Sequence, residues 1–174
     1  MKLLVVIDMQ NDFVTGSLGT PEAVAIVPAV TARVAAAVDA GDTVVFTRDD
    51  HHEATYMDSL EGRLLPVPHC YNGTEGWQII PALLPYAEGR MVFDKPTFGG
   101  LELARWAVEQ GFEAIELIGL CTDICVLSNA ILLRAALPNT PITVDAACCA
   151  GVSPQSHSTA LDAMGPCQIQ VVNR

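Results

Sequence analysis

The sequence predicts an α/β fold, a three-layer αβα sandwich built around a mainly parallel six-stranded sheet. Short runs rich in β-branched residues alternate with longer segments of helical periodicity along the whole chain. These runs are mostly apolar, which is typical of parallel strands covered by helices on both faces, because right-handed crossovers place the helices there. With 174 residues, about half of them hydrophobic, we expect a single domain over 1–174.

The first half of the chain opens with a strand, a loop and a helix. Residues 2–7 form an apolar run that predicts the first strand, and Pro21 opens a segment with valines at near-helical spacing that ends at Gly41. Residues 43–47 are a second β-branched run. A polar stretch without clear periodicity then covers residues 48–76, and a connection of that length in a compact domain is commonly functional.

The second half of the chain alternates strands with helices. The pattern predicts strands at 90–93, 113–118, 141–144 and 168–172, and helices at 101–110, 123–136 and 153–164. In such a sheet ligands bind beyond the carboxyl ends of the strands, so polar residues there are the first candidates for chemistry. No strand end carries a GxGxxG or GxxxxGK[ST] motif, so we expect no nucleotide cofactor.

Charge and cysteine content restrict the partners and the compartment. The formal net charge is −11, which disfavours a protein that neutralises phosphate backbones. The N-terminal apolar run is too short for a signal peptide and stops at Asp8, and no stretch approaches the roughly 20 apolar residues of a membrane span. We therefore expect a cytoplasmic protein without nucleic-acid or membrane partners. Its six cysteines, which form no CxxC motif, are expected to be thiols.

Three strand ends carry ionisable residues, namely Asp8, Lys95 and Cys125, and we expect them to converge at one edge of the sheet. Thr122 is a plausible N-cap, which places Cys125 in a first helical turn where the helix dipole favours a thiolate of low pKa. Asp8 could accept the thiol proton, and Lys95 could steady the developing anion. The backbone N–H groups of Cys121 and Cys125 are candidate oxyanion donors.

Plain structural roles compete with each of these interpretations. A free cysteine is usually a small buried hydrophobe, and a carboxylate at a strand end often only caps a loop. The position of Cys125 at the start of a helix favours a catalytic role, and the presence of Lys95 and Asp8 at strand ends strengthens that hypothesis. The remaining cysteines that lack any partner pattern are predicted to be structural, namely Cys70, Cys148, Cys149 and Cys167.

Three ordered motifs resemble the isochorismatase-like cysteine hydrolases, and the resemblance covers essentially the whole chain. The motifs are VIDMQNDF at residues 6–13, Lys95, and GLCTDICV at residues 119–126. The resemblance implies a Rossmann-type topology and a triad of Asp8, Lys95 and Cys125. It also implies a cis peptide between Leu120 and Cys121 that shapes an oxyanion hole. Relatives commonly self-associate, so a homo-oligomer is expected.

The long loop resembles the nicotinamidase branch of that family, where equivalent positions bind a divalent metal. The matching segments are TRDDH at residues 47–51 and PHC at residues 68–70, which implies Asp49, His51 and His69 as ligands. Carboxylate oxygen and imidazole nitrogen suit zinc. The usual fourth ligand is a second histidine or a glutamate within the loop, and Glu61 is the candidate because no histidine stands between His52 and His69.

These features predict a cysteine hydrolase that cleaves the C–N bond of a small carboxamide, first of all nicotinamide to nicotinate and ammonia, through a thioester. Phe13 and Phe98 follow two of the motifs and are candidates to line the pocket. Nicotinamidases often carry a tryptophan before Pro-Pro-His, whereas this chain has LPVPH at residues 65–69, so the substrate could also be another small amide. A hydrolase of a vinyl ether, carbamoyl or ureido acid, a catalytically silent metabolite-binding relative, and a plain structural subunit also stay open.

Overall fold

A computed structural model describes all 174 residues and contains one sheet of six parallel strands. The spatial order is β3-β2-β1-β4-β5-β6, and each neighbouring pair is parallel. The strands are β1 Lys2–Ile7, β2 Thr43–Asp49, β3 Val92–Lys95, β4 Ala114–Leu120, β5 Ile142–Ala150 and β6 Gln170–Val172. The predicted α/β fold with a parallel sheet is confirmed.

Eight α-helices and one π-helical turn connect the strands. The helices are α1 Asn11–Val14, α2 Pro21–Asp39, α3 Glu53–Tyr56, α4 Leu60–Leu64, α5 Leu84–Ala87, α6 Leu101–Gln110, α7 Leu127–Ala136 and α8 Pro154–Met164. The π-helical turn, Thr122–Val126, lies between β4 and α7. The prediction of one continuous helix over 123–136 was therefore wrong in its first turn.

Helices cover both faces of the sheet, as the apolar strands predict. Along β1, Leu3, Val5 and Ile7 point into a core shared with α6, α7 and α8, whereas Leu4 and Val6 point into a core shared with α2. Successive residues of a strand face opposite sides, so one apolar run supplies both cores. The three layers follow directly from this arrangement.

The length and hydropathy of helix α2 contradict the expectation that no segment is long and apolar enough to cross a membrane. Its 19 residues are long and apolar enough to do so by length and composition. In the structure, however, Val30, Val34 and Ala37 are buried in the core beneath it. A helix that packs one apolar face on a sheet can meet the same length and composition criteria. The expectation that no such segment exists in the chain was therefore wrong.

The carboxyl ends of the central strands are drawn together by a glycine. Gly119 of β4 pairs with Ile7 of β1 and has a φ of +114°. A Cβ at this position would lie 2.1 Å from the Ile7 carbonyl oxygen. Only glycine therefore allows this close approach. As a result, the residues that follow β1 and β4 emerge side by side.

Candidate active site

Asp8, Lys95 and Cys125 meet at the carboxyl edge of the sheet, as their positions in the sequence predict. The Lys95 Nζ lies 2.6 Å from the Asp8 Oδ2 and 3.6 Å from the Cys125 Sγ. Their exposed fractions are 0 %, 2 % and 4 % for Asp8, Lys95 and Cys125. Strand β3 extends through Lys95, two residues beyond its predicted end, so the ammonium is held by the sheet and not by a loop.

Asp8 is held by the neighbouring strand. Its backbone has a φ of +45°, which turns the chain sharply at the end of β1. The Thr47 hydroxyl donates a hydrogen bond of 2.6 Å to the Asp8 Oδ1 and accepts one of 3.2 Å from the Asp8 N–H. Thr47 had no predicted role, although it stands two residues before Asp49 and therefore shares a face of β2 with it.

The Cys125 thiol does not have the low pKa that the sequence predicted. Burial raises its pKa well above the usual range, and the charge of Asp8 adds to this effect while Lys95 opposes it. The expected N-cap is also absent, because Cys121 occupies the N-cap position without a side-chain bond and the Thr122 hydroxyl bonds His157 instead. The resting group is therefore a thiol that needs a base.

The charges of Asp8 and Lys95 are coupled. Burial raises the pKa of Asp8, and the ammonium of Lys95 opposes this rise. Burial alone lowers the pKa of Lys95, but Asp8 and Cys125 outweigh it, so its pKa is raised and the ammonium stays charged. The site thus holds a buried cation between a carboxyl group and a thiol.

The expected cis peptide is present between Leu120 and Cys121. The carbonyl of Cys121 accepts hydrogen bonds from the N–H groups of Ile124 and Val126. The N–H of Cys121 itself makes no hydrogen bond within the chain. This N–H is therefore available as a donor. Cys121 and Cys125 both border the cavity described below.

Asp49, His51, Glu61 and His69 form one compact group, and their four ligand atoms lie within 4.8 Å of one another. The imidazole nitrogens lie 3.1 to 3.6 Å from the carboxylate oxygens. Ligands at zinc distances of about 2.0–2.1 Å in a tetrahedron are separated by about 3.4 Å. Both the spacing and the nitrogen and oxygen donors therefore fit a zinc ion, and Glu61, the predicted fourth ligand, lies within this group.

Hydrogen bonds orient this group and set its charge. The His69 Nδ1 lies 2.8 Å from the carbonyl oxygen of Val67, which leaves Nε2 facing the carboxylates. Burial lowers the pKa of both histidines, but bonds to Asp49 and Glu61 outweigh it and raise the pKa of His51 to about 9 and that of His69 to about 10. The two carboxylates thus attract positive charge strongly.

One cavity of about 300 Å³ connects the thiol to this candidate metal-binding group. Its lining includes Phe13, Leu18, Thr20, Asp49, Glu61, Leu65, His69, Phe98, Cys121, Ile124, Cys125 and Val152. Phe13 and Phe98 both border it, as predicted. Neither lysine nor arginine belongs to this lining, and apart from the acidic and histidine side chains of the metal-binding group it is mostly apolar.

The family model of the isochorismatase domain matches residues 2–174 of the chain. The chain belongs to the isochorismatase family. A nicotinamidase/pyrazinamidase of Mycobacterium tuberculosis is 30 % identical over 193 aligned positions, which cover 99 % of this chain and 98 % of the relative.

Solved structures of the isochorismatase family share the fold over the full length. A pyrazinamidase/nicotinamidase of Streptococcus mutans superposes with a TM-score of 0.88 at 28 % identity, covering 99 % of this chain and 100 % of the other. A pyrazinamidase of Pyrococcus horikoshii in complex with zinc gives a TM-score of 0.84 at 26 % identity, with 99 % of both chains covered.

Gln10 is one further residue of this isochorismatase-family site, and it was not predicted from the sequence. Gln10 is fully buried, and its Nε2 donates to the carbonyl oxygens of Asp49 and Trp77 while its Oε1 accepts from the Asp49 N–H. It thereby fastens the end of β2 that carries Asp49 to the chain after the long loop, at Trp77. Its position two residues after Asp8, in the first motif, was the available signal.

Proposed function

We propose that this protein hydrolyses the C–N bond of a small neutral carboxamide, nicotinamide first among them, and releases ammonia. The observation that carries the proposal is the Lys95 ammonium, which contacts both the Asp8 carboxylate and the Cys125 thiol beside an apolar cavity. Similarity to proteins named nicotinamidase supports an amidohydrolase. A buried base, cation and thiol form the arrangement that nucleophilic catalysis requires.

In the first half of the proposed reaction, Asp8 takes the proton of Cys125 as the sulfur attacks the carboxamide carbon. The positive charge of Lys95 stabilises the thiolate while it forms. The backbone N–H groups of Cys121 and Cys125 donate to the oxygen of the tetrahedral intermediate. Asp8 then returns its proton to the amide nitrogen, the C–N bond breaks, and ammonia leaves behind a thioester on Cys125.

In the second half, water hydrolyses the thioester. Asp8, again ionised, removes a proton from the water as its oxygen attacks the thioester carbon. The same N–H donors stabilise the second tetrahedral intermediate. The carbon–sulfur bond breaks, Cys125 regains a proton from Asp8, and the carboxylic acid product leaves.

Asp49, His51, Glu61 and His69 are proposed to hold a divalent ion, most suitably zinc. When bound, the ion would supply a Lewis-acid contact for a ring nitrogen of the substrate. The protein contributes the placement, because Asp49, Glu61 and His69 border the same cavity as Cys125. A ring oriented from this side would present its carboxamide to the thiol.

The lining of the cavity favours a neutral aromatic amide over a carbamoyl or ureido acid. An anionic substrate needs a cationic or hydrogen-bonding partner for its carboxylate, but the lining has no lysine or arginine, and its one histidine, His69, already pairs with Asp49 and Glu61. Phe13 and Phe98 instead offer aromatic surface on which a flat ring can pack. An alkyl-substituted or larger ring amide stays an alternative, because Leu65 borders the cavity.

Ammonia release from a panel of small amides tests the proposal. The panel contains nicotinamide, pyrazinamide, benzamide and an N-carbamoyl amino acid, each assayed with wild type, Cys125→Ala and the surface control Cys167→Ala. We expect nicotinamide or pyrazinamide to be hydrolysed fastest and Cys125→Ala to lose at least ~1,000-fold in kcat/KM. Near-normal turnover by Cys125→Ala, or a preference for the carbamoyl acid, would refute the proposal.

A further inference from the structure

A hydrogen bond behind the nucleophile connects the π-helical turn to helix α8. Thr122 is the first residue of the turn and is fully buried. Its Oγ1 lies 2.8 Å from the Nδ1 of His157, which belongs to α8. Neither residue borders the cavity, and the side-chain hydrogen bond of each goes to the other and not to the triad, so the proposed reaction gives this pair no role.

Two further contacts fasten the same region. The N–H of Val152 donates a hydrogen bond of 3.1 Å to the Asp123 Oδ1, and the Val152 side chain borders the cavity. At Gly151 a Cβ would come within 2.9 Å of His157, so the chain after β5 lies directly against α8. The nucleophile turn, one cavity wall and α8 are therefore joined through His157 and its neighbours.

We propose that His157 is a positioning residue, which acts through Thr122 to hold the π-helical turn and so keeps Cys125 against Lys95. This inference rests on the proposed function, in which Cys125 attacks the substrate. Thr122 stands only three residues before Cys125, so a shift of its side chain is transmitted through a single turn of backbone. A displacement of about 1 Å in a reacting group can cost about 100-fold in rate.

The state of the imidazole agrees with this role. Burial lowers the pKa of His157, so the ring is neutral near pH 7 and can share a hydrogen bond with a hydroxyl. A buried hydroxyl also needs a partner, because an unsatisfied one is costly. Thr122 and His157 satisfy each other at the point where the turn begins.

Hydroxyl deletion and rescue test the inference. Thr122→Val removes the hydroxyl, Thr122→Ser restores it, His157→Leu removes the imidazole, and His157→Asn returns a polar atom near the position of Nδ1. Thr159→Val is the matched control, since its hydroxyl bonds only within α8. We expect Thr122→Val and His157→Leu to lower kcat by ~10-fold with KM within ~twofold, and Thr122→Ser and His157→Asn to recover most of the loss.

Alkylation of Cys125 by iodoacetamide separates this inference from the proposed function, because it needs no substrate. We expect Cys125 to be alkylated at least ~threefold more slowly in Thr122→Val and His157→Leu than in the wild type, since the thiol moves away from Lys95.

Two results would overturn the inference. One is a folded His157→Leu variant with wild-type kcat and a wild-type alkylation rate, and the other is a loss that His157→Asn fails to recover. If Thr122→Val does not fold, the two His157 variants decide. Absence of ammonia release in the wild type would overturn the proposed function instead.

Discussion

At the residue scale, the site depends on the buried ammonium of Lys95. Its Nζ lies 2.6 Å from Asp8, 3.4 Å from Asp49 and 3.6 Å from the Cys125 sulfur, so one cation faces three acidic groups. A buried charge is tolerated only when it is paired, and the removal of one partner leaves the others uncompensated. Lys95 therefore contributes to folding as well as to the proposed chemistry.

Lys95→Met should impair both stability and turnover. Without the ammonium, Asp8 remains buried as an uncompensated carboxylate, or it takes up a proton and ceases to be a base, whereas Asp49 keeps His51 and His69 as partners. We expect the free energy of unfolding to fall by about 3 kcal/mol and ammonia release to be lost. Chemical denaturation and the ammonia assay measure these effects, with Arg105→Gln on the exposed face of α6 as the control. Unchanged stability would show that the buried pair contributes nothing.

Thr47→Val should shift the pH dependence of the reaction. The proposed mechanism needs ionised Asp8, so activity falls as the pH drops through the pKa of this carboxyl group. The Thr47 hydroxyl lowers that pKa, and its removal raises it. The acidic limb of kcat/KM should therefore move to higher pH, while Thr43→Val at the other end of β2 should leave it in place. A limb that moves to lower pH would contradict the role of Asp8.

The sequence predicted which residues converge but not their electrostatics. Residue order and strand ends were sufficient to predict the meeting of Asp8, Lys95 and Cys125. The pKa of Cys125 depends on how completely the fold buries the thiol, and on its distance from Asp8, neither of which periodicity reveals. The partner of Thr122 was missed for the same reason, because His157 lies 35 positions away in the chain.

At the element scale, the close approach of β1 and β4 places the two ends of the site together. Gly119 allows β4 to lie against the Ile7 carbonyl, directly before Asp8, and it precedes the Leu120–Cys121 peptide by one residue. The backbone that leads to Cys125 and the backbone that leads to Asp8 thus depend on one residue without a side chain.

Gly119→Ala should therefore disturb the site from within the sheet. The added Cβ would collide with the Ile7 carbonyl, and the alanine backbone would have to adopt a φ of +114°, which is unfavourable for any residue with a side chain. We expect a loss of about 2 kcal/mol in unfolding free energy, together with reduced ammonia release. Thermal and chemical denaturation provide the measurement. Gly165→Ala is the matched control, because the nearest atom to its added Cβ lies at 3.9 Å. Equal stability of the two variants would disprove the packing argument.

Element boundaries show where local signals end and tertiary pairing begins. Helix α6 occupies the predicted 101–110, because Gly111 adopts a left-handed φ of +68° and ends it. Strand β5 instead continues to Ala150, six residues beyond its predicted end at 144. Its second half pairs with Gly119 and Leu120 after a shift in register, and pairing with a distant strand leaves no periodic signal.

At the scale of the whole molecule, the cavity lies between two groups of residues that come from different segments of the chain. Asp8, Lys95 and Cys125 come from the ends of β1 and β3 and from the turn after β4, whereas the candidate metal-binding group comes from β2 and the long loop at 48–76. The length of this loop in the sequence predicted a functional role for it. Its path back to His69, beside Phe13, could not be predicted without the fold.

Removal of bound metal should reduce both activity and thermal stability. Zinc that binds only the folded protein stabilises it by about 2.7 kcal/mol when present at 100 times its dissociation constant. Dialysis against a chelator should lower the melting temperature and the rate of ammonia release, and added zinc should restore both. His69→Ala should abolish the zinc-dependent shift, whereas His52→Ala, an exposed neighbour outside the group, should retain it. A shift that persists in His69→Ala would rule out this ligand set.

Rapid acid quench followed by intact-mass and peptide mass spectrometry tests the central claim most directly. Wild-type protein mixed with nicotinamide should carry a nicotinoyl group, and the modified peptide should contain Cys125. The modification should be absent in Cys125→Ala and unchanged in Cys167→Ala. Hydrolysis of nicotinamide without an acyl group on Cys125, together with turnover by Cys125→Ala, would contradict the account.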